Sequence, residues 1–562
     1  MPPRAPAVEN VELDEATQST LSGKVSNAHH VPPPPPQWNT FHWELNLYSA
    51  VALYGLYQVV PHTVMHWVFA LIAVDAAKYY YQRGSMPGVP YTLPFVSLLA
   101  MLIRPVRFWA EMANIAMNSP DGMCSNTLVG NFMTFVTDPT KCRQILTGEG
   151  TYGVYAHPNA LWLFGPKNLI YLQEDQHKAF RKILTPALFS DEALLAYAQA
   201  QEHVVRRFLQ QYAQDCAATG KPVDAMFAFR SMAAASSQEA FLGPYLTDDL
   251  REHLEHDILK VRGVVLLRPT LGTDSPLTTF STQFTMGFLS FPIPFLGGLK
   301  TAIDAKNRIE ATVRDIVPRA RAYVQTGKPP RCLMERWSLA ILEAAREQGL
   351  DDPQQVDCCT DDDLARTVLD FLFAAQDATN SGLVYTLDVL DEHRDVLQKM
   401  RDEVDAKVGE KKEVYQATRE SDGLQYIAKV ANELLHHKPP VPMIPHISKK
   451  ATTLGGHNIG KGTVCIPNIT YCARVTGTST EFNPDREDKD TQFVKGITFG
   501  GGQHKCPGRR YAECLLNVFC AVVAQEYDFC RTGPRPGPND FIYYPTVFPE
   551  DSKFLIKWRE SQ

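Results

Sequence analysis

The sequence predicts a mainly α chain with a small β region and an N-terminal membrane anchor. Three observations carry this expectation. Helical patterns dominate beyond Tyr91, strand-like pieces are confined to regions near Val464–Ile469 and Phe541–Tyr544, and two apolar stretches stand near the start. The 562 residues, 44% of them hydrophobic, support a sizeable core. That length suits two or three average domains or one large catalytic domain. A net charge of −7 and a pI near 6.2 give no reason to expect a nucleic-acid partner.

Residues 1–40 read as a disordered, Pro-rich tail. They are poor in large apolar side chains and include the run Pro32 to Pro36, which favours an extended spacer. No charged region with a small-residue cleavage site precedes an apolar core, so a cleaved signal peptide is not expected. Residues 41–85 read as membrane anchor and linker. Leu45–Val60 and Val64–Ala77 each fall short of the roughly 20 residues that span a bilayer, but together they exceed it. Pro61 between them is tolerable within a membrane helix. Lys78, Arg83 and the cluster Tyr79, Tyr80 and Tyr81 suit an interface. Asp75 speaks for the other reading, a buried or interfacial amphipathic helix. Met86-Pro87-Gly88-Val89-Pro90 follows as a stiff turn, expected to hold a catalytic domain of residues 86–562 off the membrane.

The best-defined helix starts at Thr360, where three aspartates follow as in a capping box and suit the positive end of the helix dipole. Leu364, Val368, Phe371, Leu372 and Ala375 recur at helical spacing, so this helix should run through the interior. Asp377 then interrupts the apolar run. A charge there is costly unless paired or functional. The twelve cysteines lie at irregular spacings without a Cys-x-x-Cys pair, which favours neither zinc nor a disulfide framework and fits a reducing, cytosol-facing environment.

One cysteine stands apart. Phe499-Gly-Gly-Gly-Gln-His-Lys-Cys506-Pro-Gly508 runs directly into a helix with Tyr511, Leu515, Val518, Phe519 and Val522 on one face. Consecutive glycines let the backbone turn tightly and approach a large flat cofactor. A cysteine at a helix start gains from the dipole, which favours its thiolate.

This segment resembles the haem loop of the cytochrome P-450 superfamily, and the resemblance covers roughly residues 86–562. It implies the triangular P-450 fold, with haem between the Asp377 helix and the Cys506 loop. It makes Cys506 the axial metal ligand, with Phe499, Gly502 and Gly508 shaping the loop and His504 facing a haem propionate. His177-Lys-Ala-Phe-Arg181 resembles the helix that sends an arginine to a propionate, a carboxylate that a guanidinium can pair bidentately. Phe482-Asn-Pro484-Asp-Arg486 resembles the segment whose arginine pairs with an E-x-x-R helix. That helix reads Glu433-Leu-Leu-His436, so histidine replaces arginine in the structural proximal triad of Glu433, His436 and Arg486.

Phe371-Leu-Phe-Ala-Ala-Gln-Asp377-Ala378-Thr379 resembles the sterol C-22 desaturase branch, as do the stretches 157–171, 291–294 with 302–309, and 439–446. The resemblance implies Asp377 as a proton relay helped by Thr379. Leu161, Phe164, Ala374, Ala375, Val441, Met443 and Ile444 are candidate pocket residues. The implied reaction introduces the C-22 side-chain double bond of a sterol, using dioxygen and NADPH-derived electrons from a flavoprotein reductase. Lys505, Arg509 and Arg510 are candidates for receiving that reductase. The implied location is the endoplasmic reticulum membrane, with the catalytic domain facing the cytosol. Another sterol or lipid hydroxylation or demethylation remains open, as does a non-catalytic haem or sterol binder motivated by His436.

Overall fold

The structure, a computed structural model, describes residues 41–560 apart from 129, 156–164, 166, 173, 252, 255–297, 410–412, 477–480, 488–495, 538–540 and 545. The expected tail at 1–40, the pocket candidates Leu161 and Phe164, and the 291–294 stretch lie outside the described residues.

The N-terminal apolar region forms two helices, α1 (Phe41–Val59) and α2 (His62–Arg83). Pro61 separates them in an extended conformation, because it lacks an N–H and its ring opposes a continuous helix. No helix among the described residues is long and apolar enough to cross a membrane. The Met86–Pro90 segment is hydrogen-bonded to the chain around Ser125. Val89 N–H donates to Ser125 O at 3.1 Å and Ser125 N–H donates to Pro87 O at 2.8 Å, so the segment lies along a strand edge. Gly88 is needed there, since a Cβ would run into Ser125.

The chain continues through α3 (Pro94–Ile103), α4 (Pro105–Met117), β1 (Met123–Leu128), β2 (Asn131–Val136), α5 (Pro139–Thr147) and β3 (Tyr152–Val154). Next come α6 (Glu174–Phe189), α7 (Asp191–Thr219), β4 (Val223–Asp224), α8 (Ala225–Leu242), α9 (Gly298–Gln325) and α10 (Leu333–Glu347). The central helix is α11 (Asp361–Glu392), followed by α12 (Arg394–Lys407) and α13 (Gln425–His437). Short strands β5 (His446–Ser448), β6 (Thr452–Leu454), β7 (His457–Ile459) and β8 (Val464–Pro467) precede α14 (Ile469–Val475). The last elements are α15 (Arg509–Glu526), β9 (Tyr527–Arg531), β10 (Phe541–Tyr544), β11 (Thr546–Pro549) and β12 (Lys553–Trp558).

The β region is small, as expected. Its largest sheet has the order β1-β2-β8-β5-β3, with β2 and β8 parallel and the other pairs antiparallel. The strand expected to reach Ile469 ends at Pro467, because the Asn468 side chain accepts from Tyr471 N–H and caps α14.

The expected capping box at Thr360 forms. Its hydroxyl accepts from Asp363 N–H at 3.2 Å, while Thr360 N–H donates to the Asp363 carboxylate at 3.3 Å. From that start α11 crosses the molecule, packing on α8, α9, α13 and α15. Fully buried Trp337 on α10 bridges the helices, with its ring 5.7 Å from Phe180 of α6 and 6.5 Å from Phe371 of α11. This packing brings α6, α11 and the loop before α15 around one site.

Candidate active site

The segment before α15 is closed on itself. Cys506 N–H donates to Phe499 O at 2.9 Å, and Gly500 and Gly502 turn the chain between them with φ of 75° and 59°. Left-handed backbone of this kind favours glycine. Gly501 lies so close to α5 that a Cβ would stand 3.1 Å from Leu146 Cβ. Gln503 N–H donates to Glu149 Oε1 at 2.9 Å, fixing the tip of the loop. Gly508 then caps α15 and lies beside Cys506.

Cys506 is exposed, whereas all the other cysteines except Cys530 are buried. Burial of its surroundings pushes the free thiol up, while the Gly508 and Arg509 backbone and the Arg181 guanidinium pull it down. Burial wins for the metal-free thiol, so the helix start alone does not secure a thiolate. A coordinated metal ion reverses that balance by removing the thiol proton.

Four basic or imidazole side chains gather beside this loop. His177 and Arg181 are four residues apart on α6 and therefore share a face. Arg181 Nη1 donates to Lys505 O at 3.1 Å. The His177 ring lies 4.4 Å from that of His504, tilted by 40°. Burial, then the neighbouring His504 and Arg181, push His177 down to about 4. Its buried Nδ1 has no hydrogen-bond partner within the protein. His446 on β5, the last residue of the 439–446 stretch, also feels the His504 charge and is lowered chiefly by burial.

Lys505, Arg509 and Arg510 do not form a bare basic patch. Arg509 Nε pairs with Glu513 Oε1 at 2.7 Å, Arg510 Nη2 pairs with Asp191 Oδ1 at 3.0 Å, and burial lowers Lys505.

On α11, Ala374 is exposed in the middle of an otherwise enclosed helix, so this face opens onto accessible space; Ala375 and Ala378 beside it are half-buried. Asp377 turns from there toward α8, where its Oδ1 meets Arg230 Nη2 at 3.4 Å. One turn on, Asn380 Nδ2 donates to Met226 O at 2.8 Å on the same helix α8. Thr379 is half-buried and, two residues from Asp377, points in a different direction. Of the other pocket candidates, Val441 and Ile444 are half-buried, and Ile444 lies close to the Gly500 turn. Met443 is buried in a core cluster with Phe108 and Phe135, so it serves packing.

Asp370 was missed by the sequence reading, although it interrupts the same apolar run. Asn168 Nδ2 donates to its Oδ2 at 2.5 Å. Burial, reinforced by Glu310, holds the Asp370 carboxyl well above the usual range, against the pull of Lys306, Arg366 and the Asn168 bond.

Glu433 and Arg486 come together, with Arg486 Nε 3.4 Å from Glu433 Oε1. Asn483 N–H also donates to that oxygen at 3.2 Å, and Arg486 Nη2 donates to Glu481 O at 2.8 Å. His436 is buried one turn along the same face of α13. The carboxylate thus has a guanidinium partner without an arginine at position 436.

The family model described as cytochrome P-450 matches residues 87–541. The chain belongs to the cytochrome P-450 family. This P-450 is 30% identical to cytochrome P-450 710A2 of Arabidopsis thaliana over 86% of its length and 94% of the relative's. It is 26% identical to the C-22 sterol desaturase ERG5B of Gibberella zeae, covering 88% of this chain and 91% of that one. A further relative, the C-22 sterol desaturase erg5 of Aspergillus fumigatus, is 26% identical over 86% of this chain and 91% of its own. Among solved structures, the retinoic acid bound cyanobacterial CYP120A1 shares the fold, with a TM-score of 0.64 at 20% identity. That match covers 84% of this P-450 and 98% of the other chain.

The family's cofactor is a haem whose iron takes a cysteine thiolate, and the residues present fit it. A soft sulfur donor is exposed at Cys506, glycines clear the backbone around it, and Arg181, His177 and His504 offer donors for carboxylates beside it. The buried Nδ1 of His177, without a protein partner, is the kind of polar atom such a carboxylate would satisfy.

Proposed function

We propose that this P-450 introduces the C-22 double bond into a sterol side chain. The observation that carries the reading is its similarity, over nearly nine-tenths of its length, to two relatives named as C-22 sterol desaturases. Haem supplies the oxidising chemistry, with electron donation from the thiolate favouring O–O cleavage. In the proposed balance, two side-chain hydrogens leave with two electrons. Two further electrons from NADPH, passed through a flavoprotein reductase, and two protons complete reduction of dioxygen to two waters.

The chain's own residues divide the remaining work. Cys506 holds the iron, while Arg181, His177 and His504 hold the carboxylates. Glu433 and Arg486 brace the far side of the loop, with His436 buried beside them. The small side chains of Ala374, Ala375 and Ala378 leave room for an apolar side chain and offer it no competing hydrogen bond. Asp377 is the proton-relay candidate. Its Oδ1 lies 3.4 Å from Arg230 Nη2, which orients the carboxylate. Thr379 serves farther along the helix as the notional helper.

The proposed setting is the endoplasmic reticulum membrane, with the catalytic domain facing the cytosol, where the reductase and sterol are both accessible. Free cysteines throughout the fold and the exposed apolar residues of α1 and α2 support it. The test is product mass after incubation with a C-22-saturated sterol, reductase and NADPH. Loss of two hydrogens supports desaturation; gain of one oxygen supports hydroxylation instead, and no reductase-dependent turnover supports a binder.

A further inference from the structure

The first two helices expose more large apolar side chains than any other part of the described chain, and both are tied down at one end. From Leu45 to Val74 there is no Asp, Glu, Lys or Arg. Leu47, Tyr48, Leu56 and Val59 of α1 are exposed on different sides of that helix, as are Trp67 and Phe69 on α2. A protein partner covers one stripe of a helix, whereas surfaces apolar on most sides suit a hydrocarbon surrounding.

The start of α1 is fixed to the catalytic body. Phe41 and His42 are buried, His42 Nδ1 meets Glu111 Oε2 at 2.5 Å, and Glu44 pairs with Arg107 at 3.0 Å, both partners lying on α4. The end of α2 is fixed to it as well. The Tyr79 hydroxyl donates to Val89 O at 2.7 Å, and the Tyr91 hydroxyl donates to Asp75 Oδ2 at 2.7 Å. The turn at Pro61 is therefore the far end, where the Tyr57 and His62 rings stack at 4.6 Å. From Ser49, the last buried residue of α1, to Val59 the helix rises about 15 Å, roughly half the thickness of a bilayer's hydrocarbon core. Exposed Trp43, Tyr80 and Tyr81 lie at the fixed ends, where an aromatic belt would meet the headgroups.

We infer that α1 and α2 form a re-entrant hairpin that enters one leaflet and returns, leaving the chain before Phe41 on the same side of the membrane as the catalytic body. This rests on the membrane setting proposed above and specifies its topology: a single crossing would put those two parts on opposite sides.

The test uses the full chain in sealed microsomes. Glu12→Thr completes an N-glycosylation acceptor at Asn10, and an epitope at residue 1 reports protease access. Absence of a glycan, with loss of both epitope and catalytic body to added protease, supports the hairpin. A glycan at Asn10, or an epitope protected while the catalytic body is digested, overturns it. The insertion itself is tested with Trp67→Glu/Leu71→Glu, altered at positions 74% and 69% exposed. Binding to phosphatidylcholine–phosphatidylserine vesicles should fall by roughly tenfold or more with the reduced carbon monoxide spectrum unchanged. Undiminished binding overturns the hairpin as the inserting element while sparing the membrane setting. Failure of the unaltered chain to bind vesicles overturns both, and leaves the sterol reaction to be judged by product mass.

Discussion

At Cys506 two effects oppose each other: burial favours the neutral thiol, while backbone donors and Arg181 favour the anion. A haem iron bound at Cys506 would tip the balance to the thiolate, so Cys506→Ala is expected to abolish the thiolate-type band of the reduced carbon monoxide spectrum without loss of helix signal in far-ultraviolet circular dichroism. A retained band would remove Cys506 from the role of ligand. Asp370 presents the reverse case, an acid whose buried setting favours the proton. Because its carboxyl is raised in the folded chain, its contribution to stability is present below the ordinary carboxylate range and is lost as pH rises from that range toward the raised value. Asp370→Asn keeps the shape of the neutral form. Its melting temperature relative to the unaltered protein should therefore climb with pH above about 4. Parallel melting curves across pH would mean that Asp370 stays ionised in the fold.

Among the elements, α11 shows how local chemistry sets a long helix in place. The Thr360–Asp363 capping box satisfies donors that the first turn leaves unpaired, and three aspartates face the positive end of the dipole. Thr360→Ala should cost about 1 kcal/mol, read as a lower urea midpoint with unchanged slope. The helix then carries Asp370, Ala374 and Asp377 into the interior in successive turns. Helical geometry explains why the acid at 377 and the hydroxyl at 379 take different directions. On α13 the substitution of arginine by His436 leaves the Glu433–Arg486 pair in place. The Glu433 carboxylate is therefore held by the arginine that arrives from the later segment.

Across the whole molecule, α6, α10 and α11 meet at Trp337, fully buried between Phe180 and Phe371. Trp337→Ala should destabilise the fold by about 3–5 kcal/mol in urea denaturation, since it removes a large side chain from between three elements. Loss of haem retention is expected to accompany it, because α6 carries His177 and Arg181. A change below about 1 kcal/mol would show that the cluster collapses around the gap and does not position α6. The same long-range assembly makes the small sheet legible only in part. Strand β8 was visible as an apolar stretch, but its place between β2 and β5 joins segments far apart in sequence.

The sequence by itself determined the thiolate loop, the start and direction of α11, the strand at Phe541–Tyr544 and the apolar character of the N-terminal region. Each depends on neighbours within a turn or two: glycine torsions, a cap, a period of 3.6 or 2. Tertiary structure decided which distant groups those elements meet. Arg230 reaches Asp377 across 147 residues, Asn168 reaches Asp370 across 202, and Arg181 reaches Lys505 across 324. It also decided that Pro61 divides one apolar region into two helices and that the Met86–Pro90 segment joins a strand edge. No local pattern encodes such partners, because they are selected by the packing of whole helices and by which buried polar groups can satisfy one another.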